Sequence, residues 1–116
     1  MSRRALFIVN SDPRTSARPA EAIRVAAGIG VWQKIHVTLC LCETAVLTLD
    51  ERNELLRDSD QLAEHLQQIA AHGEPIYVET GAPLLQNLGQ TPAPYERISV
   101  LQLAELAARA DFVLRF

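Results

Sequence analysis

Residues 4–30 read RALFIVNSDPRTSARPAEAIRVAAGIG, and three kinds of sequence follow one another within them. Arg4 to Val9 is a continuous apolar run bounded by turn chemistry, as expected of a strand buried on both faces. Asn10 to Arg18 is a polar loop carrying Ser, Thr, Asp and two Arg. Pro19 suits a first helical turn, where its missing N–H costs nothing. Ala20, Ile23, Ala27 and Val31 then recur at spacings of three and four, an amphipathic helix with small residues inside. Strand, loop and helix in succession predict one unit of an α/β sheet.

The same alternation continues to the end of the chain. Lys34 to Cys42 predicts a second strand, with Ile35, Val37, Leu39 and Leu41 on one face and His36, Thr38, Cys40 and Cys42 on the other. Asp50 can cap a short helix beginning at Glu51, and Leu62, Leu66, Ile69 and Ala70 mark a stronger helix that Gly73 ends. Pro75 to Val78 is a short third strand. Thr80, Gly81 and Pro83 then start a helix of about two turns, to Leu88. Arg97 to Val100 is a very short fourth strand, Leu103, Leu106, Ala107 and Ala110 mark a helix, and Asp111 to Phe116 is a last strand. The expectation is a single domain over residues 1–116, a three-layer α/β/α sandwich around a mostly parallel five-stranded sheet.

Composition narrows the function classes. The chain has 116 residues, a net charge of −3 and hydrophobic content of 48%. That size buries a core without a disulfide or metal staple. The acidic balance argues against a general nucleic-acid binder, which needs a basic face. Neither a secretory signal core nor a membrane span is expected, since the first apolar run stops after five residues at Asn10. With two free thiols, Cys40 and Cys42, a reducing, cytoplasmic location is expected.

In a parallel sheet, ligands bind beyond the carboxyl ends of the strands. Three segments occupy that edge: Asn10 to Thr15, Cys42 to Thr44, and Glu79 to Gly81. The loop after the first strand has no glycine, which excludes a dinucleotide fingerprint, and no Walker A sequence occurs. Asn10, Ser11, Asp12 and Arg14 are side chains that bind a small anion or cap a helix. Cys42 ends its strand at the right edge for a thiol to reach a ligand. Glu79, Thr80 and Gly81 close the third strand, where a carboxylate beside a helix N-terminus stays ionised. No metal is expected: His36 is about 13 Å from Cys40 along an extended strand, too far to share an ion. No cofactor is expected either.

Taken together, several of these features resemble the DsrE/DsrF/TusD-like sulfur-relay family. They are the Ala5 to Asn10 strand, the Val37 to Val46 strand and loop, the helix ending in His72-Gly73, and Ile76-Tyr77-Val78 followed by Gly81 to Leu88. Leu103-Ala104-Glu105-Leu106 and Ala110-Asp111-Phe112-Val113-Leu114-Arg115-Phe116 complete the pattern. The resemblance implies homotrimers or hexamers, or assembly with DsrE-like partner subunits. It also implies a persulfide cysteine after strand three. Aligned on Ile76 to Leu84, that position is Glu79, and no Cys follows Cys42. The first reading is therefore a non-catalytic binding or assembly subunit tied to intracellular sulfur metabolism. The alternatives are a persulfide carrier using Cys42 and a small-ligand or nucleotide-binding protein. The apolar groups of the Glu43 to Asn53 loop and of Pro92, Pro94 and Tyr95 are expected either at an interface or folded back as core.

Overall fold

The structure, a computed structural model, describes residues 3–32, 34–72, 74–82 and 84–116. Five strands form it: β1 (Arg3–Val9), β2 (Ile35–Leu41), β3 (Ile76–Glu79), β4 (Tyr95–Ile98) and β5 (Phe112–Arg115). The helices are α1 (Arg18–Val31), α2 (Leu62–Ala71) and α3 (Val100–Arg109). All strand pairs are parallel, in the order β4-β3-β2-β1-β5. Three strands, β2, β3 and β4, thus run outward from β1 on one side, and β5 returns to its other side.

The pleat decides which residues meet which helices. Ala5, Phe7, Val9, Val37, Leu39, Leu41, Ile76 and Val78 lie buried under α1, α2 and the segment after β2. Ala20, Ala22, Ile23, Ala26 and Ala27 are the small buried side of α1, which lets the helix lie close to the sheet. Val31, expected on that side, is 57% exposed because the helix has turned it to solvent at its last residue. Leu6, Ile8, Cys40, Cys42 and Ile98 form a second cluster on the opposite face, against Leu103, Leu106, Ala107 and Ala110 of α3. No residue of α3 is fully buried. The sheet is therefore thickly covered on one face and thinly on the other.

Three expectations need correcting. The described residues do not form the expected helix from Thr80 to Leu88: Thr80 and Gly81 form a turn, Leu84 has φ 68°, and a 3-10 turn at Leu85–Asn87 follows. A left-handed residue cannot lie inside a right-handed helix, so the segment breaks there; Pro83 and Gly73 lie outside the described residues. The fourth strand sits two residues earlier than expected, because Ser99 caps α3. Its Oγ accepts the Gln102 N–H at 3.1 Å while the Gln102 side chain accepts the Ser99 N–H at 2.8 Å. The segment after Cys42 is a 3-10 helix over Glu43–Leu49 and a 3-10 turn over Asn53–Leu55, with Asp50 ending the first rather than capping a helix at Glu51. Its apolar groups fold back: Val46 and Leu49 are fully buried in the main core.

Candidate functional site

At the carboxyl edge, strand order reverses between β1 and β5, the place where an open parallel sheet leaves a crevice. Here Phe116 fills it. Its ring stacks on Phe7 with centroids 5.7 Å apart and planes 5° from parallel. Its N–H donates to Ile8 O at 2.9 Å, and its carbonyl accepts from Asn10 N at 2.9 Å and Ser11 N at 3.3 Å. The two N–H groups best aimed at an anion after β1 are thus already engaged.

The rest of that loop is likewise closed on itself. Arg14 donates through Nε and Nη2 to the two Asp12 carboxylate oxygens at 3.0 and 2.8 Å, and its backbone N–H reaches Asp12 Oδ1 at 2.9 Å. The guanidinium holds the Asp12 carboxyl below the usual carboxylate value. Asp12 O accepts from Thr15 and Ser16, and Ser16 Oγ accepts the Arg18 N–H at 3.1 Å. Asn10, Ser11, Asp12 and Arg14 therefore lie together in one loop, its first two backbone donors bonded to Phe116 and Arg14 bonded back to Asp12.

Glu79 behaves in the same way at the end of β3. Its Oε1 accepts the Gly81 N–H at 2.8 Å, and Thr80 N donates to Ile98 O at 2.9 Å. A Cβ at Gly81 would stand 3.0 Å from that same Oε1, so a side chain there would make the Glu79 carboxylate give way. The side chain replaces a helix N-terminus as the local partner for backbone N–H.

Between these segments lies the one pair of nucleophilic groups. Cys40 and Cys42 are free thiols on the α3 face of β2, with sulfurs 3.8 Å apart. Cys40 is fully buried and Cys42 is 9% exposed. Hydrogen bonding from the Cys40 thiol lowers the Cys42 pKa, against burial and the negative charges of Glu79 and Glu43; Arg115 also lowers it. The Cys40 thiol is pushed up, first by that same bond and then by burial. Cys42 is thus the member that ionises first, and Cys40 the donor that steadies it. Glu43, immediately after it, has φ 52°, a left-handed conformation for a residue with a side chain.

The fold therefore brings Cys42 and Glu79 into one electrostatic neighbourhood, joined by Glu43 and Arg115, which sequence spacing did not single out. The signal for Arg115 was its place at the end of the last strand. Among the described residues, no three His, Cys, Asp or Glu side chains gather in a way that could hold a metal. Among them, too, no helix is long and apolar enough to cross a membrane.

An all-parallel sheet in this order, with two helices on one face and one on the other, is a DsrE-like α/β fold. The chain is similar to the YchN protein from E. coli, whose crystal structure it matches with a TM-score of 0.81 over 100% of both chains. The two share 18% sequence identity, so the likeness is one of fold. No family model and no curated protein matches the sequence.

Proposed function

We propose that the chain is a non-catalytic DsrE-like subunit of the cytoplasm, acting through assembly and binding in intracellular sulfur metabolism. The observation that carries this reading is Glu79. At the end of β3 stands a carboxylate bonded to its own turn, 2.8 Å from Gly81 N, with a single 3-10 turn beyond it. Among the described residues at that place there is neither a thiol nor a helix N-terminus able to stabilise a thiolate. The experiment is incubation of the purified protein with a low-molecular-weight persulfide, followed by intact mass. The expected result is an unchanged mass; gain of one sulfur atom, lost in Cys42→Ala, overturns the reading.

A second reading is favoured by the thiol pair. Donation from Cys40 lowers the Cys42 pKa, as a sulfur carrier requires. The Cys42 thiolate would attack the outer sulfur of a donor persulfide, forming its own S–S bond and releasing the donor as a thiolate. The same mass measurement separates the two, and Cys40→Ser then shows whether the donor thiol is needed.

A further inference from the structure

We propose that β5 is the interface of a two-fold dimer, pairing antiparallel with β5 of a second copy around Val113. This deepens the assembly part of the reading above and rests on it, and four observations carry it.

The first is the difference between the two edges of the sheet. β4 is blunted: Pro92 and Pro94 precede it, and Glu96 and Arg97 sit exposed within it. β5 has no proline, and its single charge, Arg115, stands at its last residue. Phe112, Val113 and Leu114 are 46%, 41% and 36% exposed along it. An apolar edge strand of this kind is a template for another strand.

The second is the phase of its backbone. Phe116 N donates to Ile8 O and its carbonyl accepts from Asn10 N, so Phe116 bonds inward to β1. A strand bonds to a given parallel neighbour through every second residue, so Leu114 and Phe112 also bond inward, in register with Phe7 and Ala5. Val113 and Arg115 are left facing outward. An antiparallel pair centred on Val113 makes Val113 exchange both its bonds with Val113 of the second copy. Arg115 N–H then meets Asp111 C=O of that copy, and the reverse.

The third is what this register leaves over. It would set Asp111 N–H against the Arg115 carbonyl of the second copy. Both groups already have partners within the chain: Asp111 N donates to Arg4 O at 2.8 Å, and the Arg115 carbonyl accepts from Arg18 Nη2 at 3.3 Å. The outward groups that remain are those the two-fold pairing satisfies.

The fourth is charge. The same register places the Asp111 carboxylate opposite the Arg115 guanidinium of the second copy, twice by symmetry, with Phe112 opposite Leu114. Centring on Phe112 instead would set Arg109 against Arg115 and leave Asp111 facing Val113. On the α1 side, Phe112 and Leu114 border a groove lined with Ala5, Phe7, Ile29 and Ile35. That apolar strip continues into its symmetry mate. Arg3 lies over the Phe112 ring, 5.9 Å from its centroid, at the rim. Asp111 Oδ2 accepts the Arg4 N–H at 2.8 Å, which turns that oxygen toward β1 and leaves Oδ1 for the guanidinium of the second copy.

The test is analytical ultracentrifugation across a micromolar concentration series, with circular dichroism confirming that each variant is folded. The wild type is expected to dimerise. Asp111→Arg and Arg115→Asp each set like charges opposite one another at two places and are expected to weaken dimerisation about tenfold or more. Mixed in equal amounts, these two variants restore both opposite-charge pairs and are expected to form a heterodimer. Val113→Lys, on an exposed position, puts two lysines at the axis and is expected to be monomeric. A wild type that assembles while any of these folded variants assembles equally well overturns the β5 interface alone. Folded single variants that fail to associate when mixed do the same. A wild type that is monomeric throughout overturns the interface and the assembly reading together, while the sulfur-uptake result stands separately.

Discussion

Replacing Phe7 by Ala tests how the carboxyl edge of β1 is closed. Phe7 is fully buried in the main core, on β1 between β2 and β5. Truncating a buried Phe costs about 3–5 kcal/mol through lost transfer energy and the cavity left behind. A domain of this kind is stable by about 5–15 kcal/mol, so the variant folds with a much reduced margin. With 116 residues and about 2.1 cal/mol/K of unfolding entropy per residue, a 4 kcal/mol loss lowers Tm by roughly 16 °C. Phe116, half-buried against it, loses less, about 2 kcal/mol on truncation. The two rings are stacked 5.7 Å apart, so the double variant should lose about 0.5–1.5 kcal/mol less than the two single losses added together. Urea denaturation of the wild type, Phe7→Ala, Phe116→Ala and the double variant measures all four terms. A fall in Tm below about 5 °C for Phe7→Ala, or strict additivity, would refute the reasoning that Phe116 seals the crevice.

Two further predictions concern the thiols and α3. In the native protein, alkylation should add one label, at Cys42, with Cys40 reacting only after denaturation. The Glu79 charge favours the neutral thiol, so Glu79→Gln should shift the pH profile of that labelling to lower pH; two native adducts or an unmoved profile would contradict this. Ser99→Ala removes one half of the capping box and frees the other, costing about 1 kcal/mol or roughly 4 °C in Tm. A melt unchanged within a degree would show that the cap contributes nothing.

The parallel sheet was legible because β1 carries an unbroken apolar run, β2 alternates with period two and the helices carry period-3.6 stripes. Both signals are local, and both survive burial. The ends of elements were read less well, since they depend on single side chains bonding to backbone. Ser99 with Gln102 three residues on is a capping signature that moves β4 back to Tyr95–Ile98. The missing helix after β3 turns on Glu79 reaching Gly81 and on Leu84 adopting a left-handed backbone, and neither has a periodic signature. At the edge, the three segments were placed correctly by strand order. Whether their donors were free was a matter of contact across about 100 residues of chain, as with Asn10 and Phe116. Spacing carries no information at that range. The Cys40–Cys42 pairing could be inferred from the period of two, but the direction of each thiol's pKa needed burial and the neighbouring charges.

The pairing of β1 with β5 also sets an order of events during synthesis. Ala5 stands beside Val37 on one side and Phe112 on the other. The first neighbour leaves the ribosome soon after β1, and the second about 75 residues later. At about 5–20 residues per second, one flank of β1 stays bare for roughly 5–20 s, with Leu6, Phe7 and Ile8 on an unpaired strand. In that interval its most apolar strand is open to pairing wrongly. When β5 docks, that exposure does not vanish. It passes outward by one strand, to the edge that a second copy can cover.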